Sequence, residues 1–484
     1  MFLGIDIGTG SSKAVLANAK GAVVRQASRG HRTCTPRPGW YEHDADGVWW
    51  DDVVALCQEV LRPGEDVEAV GVSGIGPALV VTDADDRPLR PGILYGIDTR
   101  AAAQAEQENQ RLGEAAIRRL GNPISTQSVG PKLAWLQQHE PEVWSRVRRW
   151  YSAPGWVVRQ LTGEYTLDRY SASASDPLYD MTTRGLWDEE WGRYPQLERP
   201  RLAECAEVVG AVRSAAAEET GIPVGTPVVA GTIDAMAEAY SAGVTTAGDT
   251  MVMYGSTLFL IQVVDDLIPS RLLWATEGLA PDRSSLAAGM ATGGLVTSWL
   301  AEVLGRDYDE LVTAAQQVPA GSEGLLLLPY LSGERTPVYD PAARGSWTGL
   351  TLGHGPGHLY RSALEGVCLG VRHNLQAMAD LGAPARRLVA VGGGTAQRLW
   401  LQILSDATGL PQDLPTLTVG ASYGDARLAA DAAGVDTRSW NPVAERIEPD
   451  PEARAVYDEL FEVYTDAYRG AAPTMHRLAE LARG

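Results

Sequence analysis

Twice in this chain, about half its length apart, an apolar strand runs into a short turn of glycine and hydroxyl residues and leaves it as a second strand. The first unit reads Phe2 to Ile7, then Gly8-Thr9-Gly10-Ser11-Ser12, then Lys13 to Ala17, with a third strand at Val23 to Ala27 beyond the Lys20-Gly21 turn. The second reads Thr250 to Met253, then Tyr254-Gly255-Ser256-Thr257, then Leu258 to Val264. A repeated strand, turn, strand unit suggests a duplicated fold in which each half lends a hairpin to a shared cleft. Two unrelated hairpins would look the same.

Length agrees with duplication, because 484 residues exceed one ordinary core and divide naturally into two domains of roughly 240 residues. The longest apolar runs, such as Leu325 to Leu328, fall short of the roughly 18 residues that span a bilayer, so no membrane partner is expected. The N-terminal Met1-Phe2-Leu3-Gly4-Ile5-Asp6 has no basic region or cleavage site, and a cytoplasmic location is the expectation. A formal charge of −20 disfavours a nucleic-acid partner, which would call for clustered Lys and Arg. Cys34, Cys57, Cys205 and Cys368 lie far apart, without a C-x-x-C pair, and read as buried thiols rather than zinc ligands or disulfides.

Strands and helices alternate between and after the two units, which makes the chain α/β. Val67 to Ser73 and Val80 to Asp83 read as strands and Ala101 to Leu120 as one long amphipathic helix ending at Gly121. In the second half, Leu325 to Pro329 and Arg387 to Val391 are strands and His358 to Leu381 is a helix. A domain boundary near Gly243 to Gly248 gives domains of 1–245 and 246–484.

The first turn supplies what a nucleotide phosphate requires. Its N–H groups and hydroxyls can hold phosphate oxygens, Lys13 can offset their charge, and Asp6, at the strand end, can hold Mg²⁺ through waters. A hairpin turn with a solvated lysine is the alternative, and Gly255-Ser256-Thr257 weighs against it by offering donors from the other side of a cleft. Gly392-Gly393-Gly394 follows a strand and leads into a helix from Leu399, where a nucleotide can lie against bare backbone; Gly293-Gly294 is a weaker signal of the same kind. Asp234 follows the buried strand near Val228 and opens a small-residue helix. There it is either a cap or a base whose ionised form the helix dipole favours, with Glu238 one turn on.

Two further stretches carry a resemblance. Gly130-Pro131-Lys132-Leu133-Ala134-Trp135-Leu136 and the long string from Gly345 to Val367, with Gly349, His358 and Glu365, resemble the two signatures of the FGGY carbohydrate kinases. Trp40-Tyr41-Glu42-His43-Asp44 and Leu331-Ser332-Gly333-Glu334-Arg335-Thr336-Pro337 are similar to strings of the xylulose kinases in that family. The resemblance covers nearly the whole chain. It implies two actin-like (ribonuclease H-like) α/β domains flanking a cleft, and ATP-dependent phosphorylation of a sugar. D-xylulose is the first expectation for that sugar, ahead of ribulose, erythritol or glycerol.

By the same resemblance Asp234 is the catalytic base and Asp6 the magnesium-site residue, with ATP and Mg²⁺ as cofactors. Gly8, Thr9, Gly10, Ser11, Ser12 and Lys13, with Gly255, Ser256, Thr257, Gly294, Gly393, Gly394 and Arg398, fall at ATP-binding positions. Tyr95 takes the place of an aromatic that borders the sugar, and Asp98 belongs to the same segment. One departure stands at the sugar end: where xylulose kinases carry a Gln-Met-His string, this chain reads Gly74-Ile75-Gly76-Pro77, without an imidazole or thioether. A changed donor there alters sugar preference without touching phosphoryl transfer. An actin- or Hsp70-like nucleotide switch and a catalytically silent sugar sensor are the rival readings, and a homodimer is the assembly considered.

Overall fold

The computed structural model describes residues 1–482. Two seven-stranded sheets carry it, one built from residues 2–233 and the other from residues 249–447. The first contains β1 (Phe2–Ile7), β2 (Ser11–Ala17), β3 (Val23–Gly30), β4 (Ala69–Gly74), β5 (Val208–Ala211), β6 (Pro227–Val229) and β7 (Thr232–Ile233). Its order is β5-β6-β4-β1-β2-β3, with β7 also beside β4. The second contains β8 (Asp249–Tyr254), β9 (Leu258–Val264), β10 (Trp274–Glu277), β11 (Ser284–Met290), β12 (Arg387–Val391), β13 (Gln412–Pro415) and β14 (Val443–Ile447), in the order β10-β11-β9-β8-β12-β13-β14.

The two orders superimpose. β3-β2-β1 and β11-β9-β8 are antiparallel runs, β4 and β12 add parallel to β1 and β8, β6 and β13 add parallel again, and β5 and β14 close with an antiparallel edge. The strand, turn, strand repeat is therefore the first hairpin of each of two equivalent units. β1 and β8 run through the middle of their sheets and are buried almost throughout, which explains their nearly unbroken apolar sequence.

Each sheet has its own core, one around Ile5, Val72 and Trp156 and one around Leu260, Leu364 and Leu404. Two helices then cross between the units. α1 (Asp234–Ser241) places Met236 and Ala239 against Met251, Ile261 and Val389 of the second sheet, while α2 (Ala421–Ala432) places Tyr423, Ala426 and Ala430 against Phe2, Val15 and Ala69 of the first. α2 lies on the sheet almost backbone to backbone: a Cβ on Gly4 or Gly71 would overlap the carbonyl oxygens of Ser422 and Asp425.

The structure corrects two expectations. The helix over residues 101–120 is two helices, Ala102–Leu112 and Glu114–Leu120, because Gly113 turns the chain at φ 51°. Cys34 is exposed, and only Cys57, Cys205 and Cys368 are buried. Among the described residues no helix is long and apolar enough to cross a membrane.

Candidate active site

A cleft of about 670 Å³ opens between the two sheets. Asp6, at the end of β1, and Asp234, at the first turn of α1, both line it. Lys13 stands opposite Asp6 in the β1/β2 ladder and Ser73 stands beside it in the β1/β4 ladder. The Ser73 hydroxyl lies 3.2 Å from Asp6 Oδ1 and 2.7 Å from Asp425 Oδ2, so α2 is tied to the same cluster. Asp234 is not the cap of its helix. Ile233 holds that position, and an Asp234 oxygen accepts from the N–H of Ala235 at 2.7 Å, leaving the carboxylate otherwise free toward the cleft.

Burial governs the protons here. It pushes Asp6 up to about 6 against the pull of Lys13 and Ser73. It raises Asp234 well above the ordinary range, with the Asp6 charge adding to the effect. Glu238, one turn along α1 and also facing the cleft, is pushed up to about 7 by burial and by Asp6.

The first turn is closed by Gly8 N–H donating to Ser11 O at 3.1 Å, and Thr9 Oγ1 donates to the Tyr95 hydroxyl at 3.3 Å. The second turn is knitted to its neighbours: Gly293 N–H and Leu295 N–H donate to Ser256 O, and Gly294 N–H donates to Gly255 O. Gly394 approaches Tyr254 and Trp400, and Trp400 also borders Gly294. Gly255 to Thr257, Gly294, and Gly393 and Gly394 thus converge as three glycine turns at the strand ends of the second sheet.

Three predicted residues face elsewhere. Ser12 is fully buried and donates to Asp52 at 2.7 Å, because alternation along β2 sends it to the sheet face opposite Lys13. Asp98 is spent inside the first domain, accepting from Arg100 at 2.7 and 2.9 Å and from the Tyr41 N–H at 2.7 Å, with no exposed side-chain surface. Arg398 is half exposed and pairs with Glu445. Gly76, Pro77 and Tyr95 do line the cleft. The departure at Gly76 has a steric reason, since a Cβ there would overlap Ile233, whose side chain occupies that space.

Sequence reasoning missed the rest of the cleft wall: Gln127, Tyr170, Phe259, Trp274, Arg335 and Tyr339. Gln127 lies in a polar run, Ser125 to Ser128, immediately before the first signature, and that run was the available signal. Its Oε1 accepts from Gly96 N–H at 2.8 Å. Lys132, fully buried in the helix Val129–His139, donates to Pro77 O at 3.0 Å and Gln127 O at 2.9 Å, tying together two loops of the wall. Phe259 and Trp274 stack with ring centroids 6.1 Å apart on the opposite wall.

The donor set suits hydrated magnesium: Asp6 and Asp234 face the same cleft, and among the described residues no group of three or more His, Cys, Asp or Glu side chains could hold a metal ion without waters. Mg²⁺ typically keeps several waters and takes one or two carboxylates plus nucleotide phosphates.

Comparison with known proteins agrees with this geometry. The sequence models for the FGGY family of carbohydrate kinases match over residues 1–240 (N-terminal domain) and 250–433 (C-terminal domain). The xylulose kinase of Escherichia coli K12 is 30% identical, over 98% of this chain and 100% of its own. A gluconokinase of Bacillus subtilis 168 is 28% identical, over 100% and 98%. The crystal structure of xylulose kinase from Rhodospirillum rubrum superimposes with a TM-score of 0.92 at 31% identity, covering 98% of this chain and 99% of that one. The duplicated sheets are the two actin-like domains of the sugar kinase fold, and the chain belongs to the FGGY family of carbohydrate kinases as an ATP-dependent sugar kinase.

Proposed function

We propose that the chain transfers the γ-phosphoryl group of ATP to a hydroxyl of D-xylulose, giving D-xylulose 5-phosphate, with Asp234 as the base. The observation that carries this reading is the placement of Asp234: a free carboxylate near Asp6, at a cleft with the loops at residues 76–77, 95–97 and 125–128 on one wall and Thr257 of the second glycine turn, Phe259 and Trp274 on the other. Similarity to proteins named xylulose kinase along the full length supports the choice of sugar.

In this reading residues 1–245 hold the sugar and residues 246–484 the nucleotide. Asp234 accepts the hydrogen bond of the terminal hydroxyl, orients its oxygen toward the γ-phosphorus, and takes the proton as the new P–O bond forms. The bond to the β-phosphate oxygen breaks and ADP leaves. Lys13 and the N–H groups of both turns balance the phosphate charge, and Asp6 would hold Mg²⁺ through water. Bound there, the ion would neutralise charge on the phosphate oxygens. Closure of the cleft excludes water, which would otherwise compete for the phosphoryl group.

The test is ADP release over a panel of D-xylulose, D-ribulose, erythritol, glycerol and gluconate. D-xylulose should give the highest kcat/KM; a tenfold advantage for another member of the panel overturns the substrate assignment.

A further inference from the structure

Among the described residues, Arg335 is the sole cation lining the cleft, whose other charged residues, Asp6, Asp176, Asp234 and Glu238, are all acidic. It is largely enclosed, yet it lacks the carboxylate partner that Arg100 and Arg361 have. Arg100 pairs with Asp98 and Glu42 and Arg361 pairs with Glu365. Among the described residues the Arg335 side chain makes one hydrogen bond, from Nη2 to Met290 O at 3.0 Å, and its Nε–H is buried without an acceptor. The adjacent Glu334 does not supply one: its Oε1 accepts from the N–H groups of Ala291 and Arg335, and its Oε2 is itself buried without a partner. A buried donor left unmade is costly, and a guanidinium more so, unless a ligand completes it.

Its position indicates which ligand. The guanidinium lies over Gly289, where an added Cβ would come within 3.2 Å of Arg335 Cζ and of the Trp274 ring. Gly289 is paired across the ladder with Phe259, which stacks on Trp274, and Trp274 meets Tyr339 edge to face at 6.4 Å. The second domain thus presents an aromatic wall with one unsatisfied, forked donor at its margin. Aromatic faces cover the C–H surface of a sugar, and a guanidinium donates to its hydroxyl or carbonyl oxygens.

We propose that Arg335 is a sugar-binding residue supplied by the nucleotide domain, its Nε–H and a neighbouring N–H donating to an oxygen of a sugar laid along Phe259 and Trp274. This rests on the sugar kinase reading of the cleft and extends it: the sugar touches both domains, so binding it favours closure. It also offsets the donor missing at Gly76 and Pro77, from the opposite wall.

The experiment compares native protein with Arg335→Met, Arg335→Lys and Gly289→Ala, the last crowding the guanidinium from behind. Sugar binding is measured by calorimetry without nucleotide, and KM and kcat by ADP release with the best sugar of the panel. Arg335→Met should weaken sugar binding and raise sugar KM roughly ten- to hundredfold. Arg335→Lys should recover part of the loss, Gly289→Ala should show a smaller rise, and KM for ATP should move far less. A sugar KM within twofold of native in Arg335→Met overturns the proposal. So does a fall in kcat at unchanged sugar KM, which would place the guanidinium on the phosphoryl group. If Arg335→Met does not fold, an unchanged sugar affinity in Gly289→Ala and Arg335→Lys overturns it. Native protein that prefers another sugar overturns only the assignment of xylulose.

Discussion

Asp234 owes its reactivity to enclosure. Burial and the Asp6 charge hold its carboxyl well above the ordinary range, so it is a stronger base than a solvated aspartate and also easier to protonate. A base acts in its ionised form, so sugar-dependent kcat/KM should fall on the acid side with a midpoint above the ordinary carboxylate value. Because Asp6 is raised as well, to about 6, that midpoint belongs to the pair. Asp234→Asn should lower kcat by about 10² to 10⁴-fold with stability little changed, checked by ADP release and thermal unfolding. Retention of full activity would remove Asp234 from the mechanism. The residue type at the head of a helix was legible from the sequence, but a cap and a base look alike there. The structure excludes the cap by giving that position to Ile233.

The helix Val129–His139 clamps two loops of the cleft wall. Its Lys132 holds the Pro77 and Gln127 carbonyls together, so both loops depend on one ammonium group. Lys132→Met should raise the KM for sugar by about tenfold or more, by the worth of lost bonds to a charged group, with a smaller change in the KM for ATP. Burial lowers Lys132 from 10.5 to about 7. Between those values the unfolded chain binds a proton that the folded chain does not, so the contribution of Lys132 to stability rises with pH across the window. Below about 7 both states carry the proton and the dependence vanishes. The Tm of native protein relative to Lys132→Met should therefore climb from pH 7 toward pH 10.5; a flat difference would contradict the lowered value. Elements were read well where one face or a buried run governs them: Leu258–Val264 and Arg387–Val391 coincide with their expected bounds. The helix broken at Gly113 was not, because apolar spacing continues across a glycine whose φ departs from it.

In the assembled molecule the two crossing helices pack the domains together, and a second contact joins Ser173, Tyr179 and Arg184 to Glu277. α2 fits on β1 and β4 only because Gly4 and Gly71 have no side chains, and Ser73 links that helix to Asp6. Gly71→Ala would push α2 off the sheet. The expected cost is about 1–3 kcal/mol or more from overpacking, read as a lowered denaturation midpoint, together with a loss of kcat as the Asp6 and Asp234 geometry loosens. A native-like midpoint and kcat would show that α2 is free to shift. Two halves with matching hairpins could be read from residues 2–17 and 250–264 because strand pattern and turn chemistry are local. So could the candidacy of Asp6, Lys13 and Asp234, each fixed by its place at a strand end or helix start. Which side chains reach the cleft was decided by packing between distant segments. Asp98 turned inward because the Tyr41 N–H and Arg100, itself paired with Glu42, meet it there, and Ser12 because the pleat sends it toward Asp52. Gly76 carries no side chain because Ile233 fills its space, and Arg335 reaches the cleft because Gly289, forty-six positions earlier, leaves room for it. Local pattern specifies which way a backbone runs, whereas the partner a side chain finds depends on residues far away in sequence, and only the folded chain brings those together.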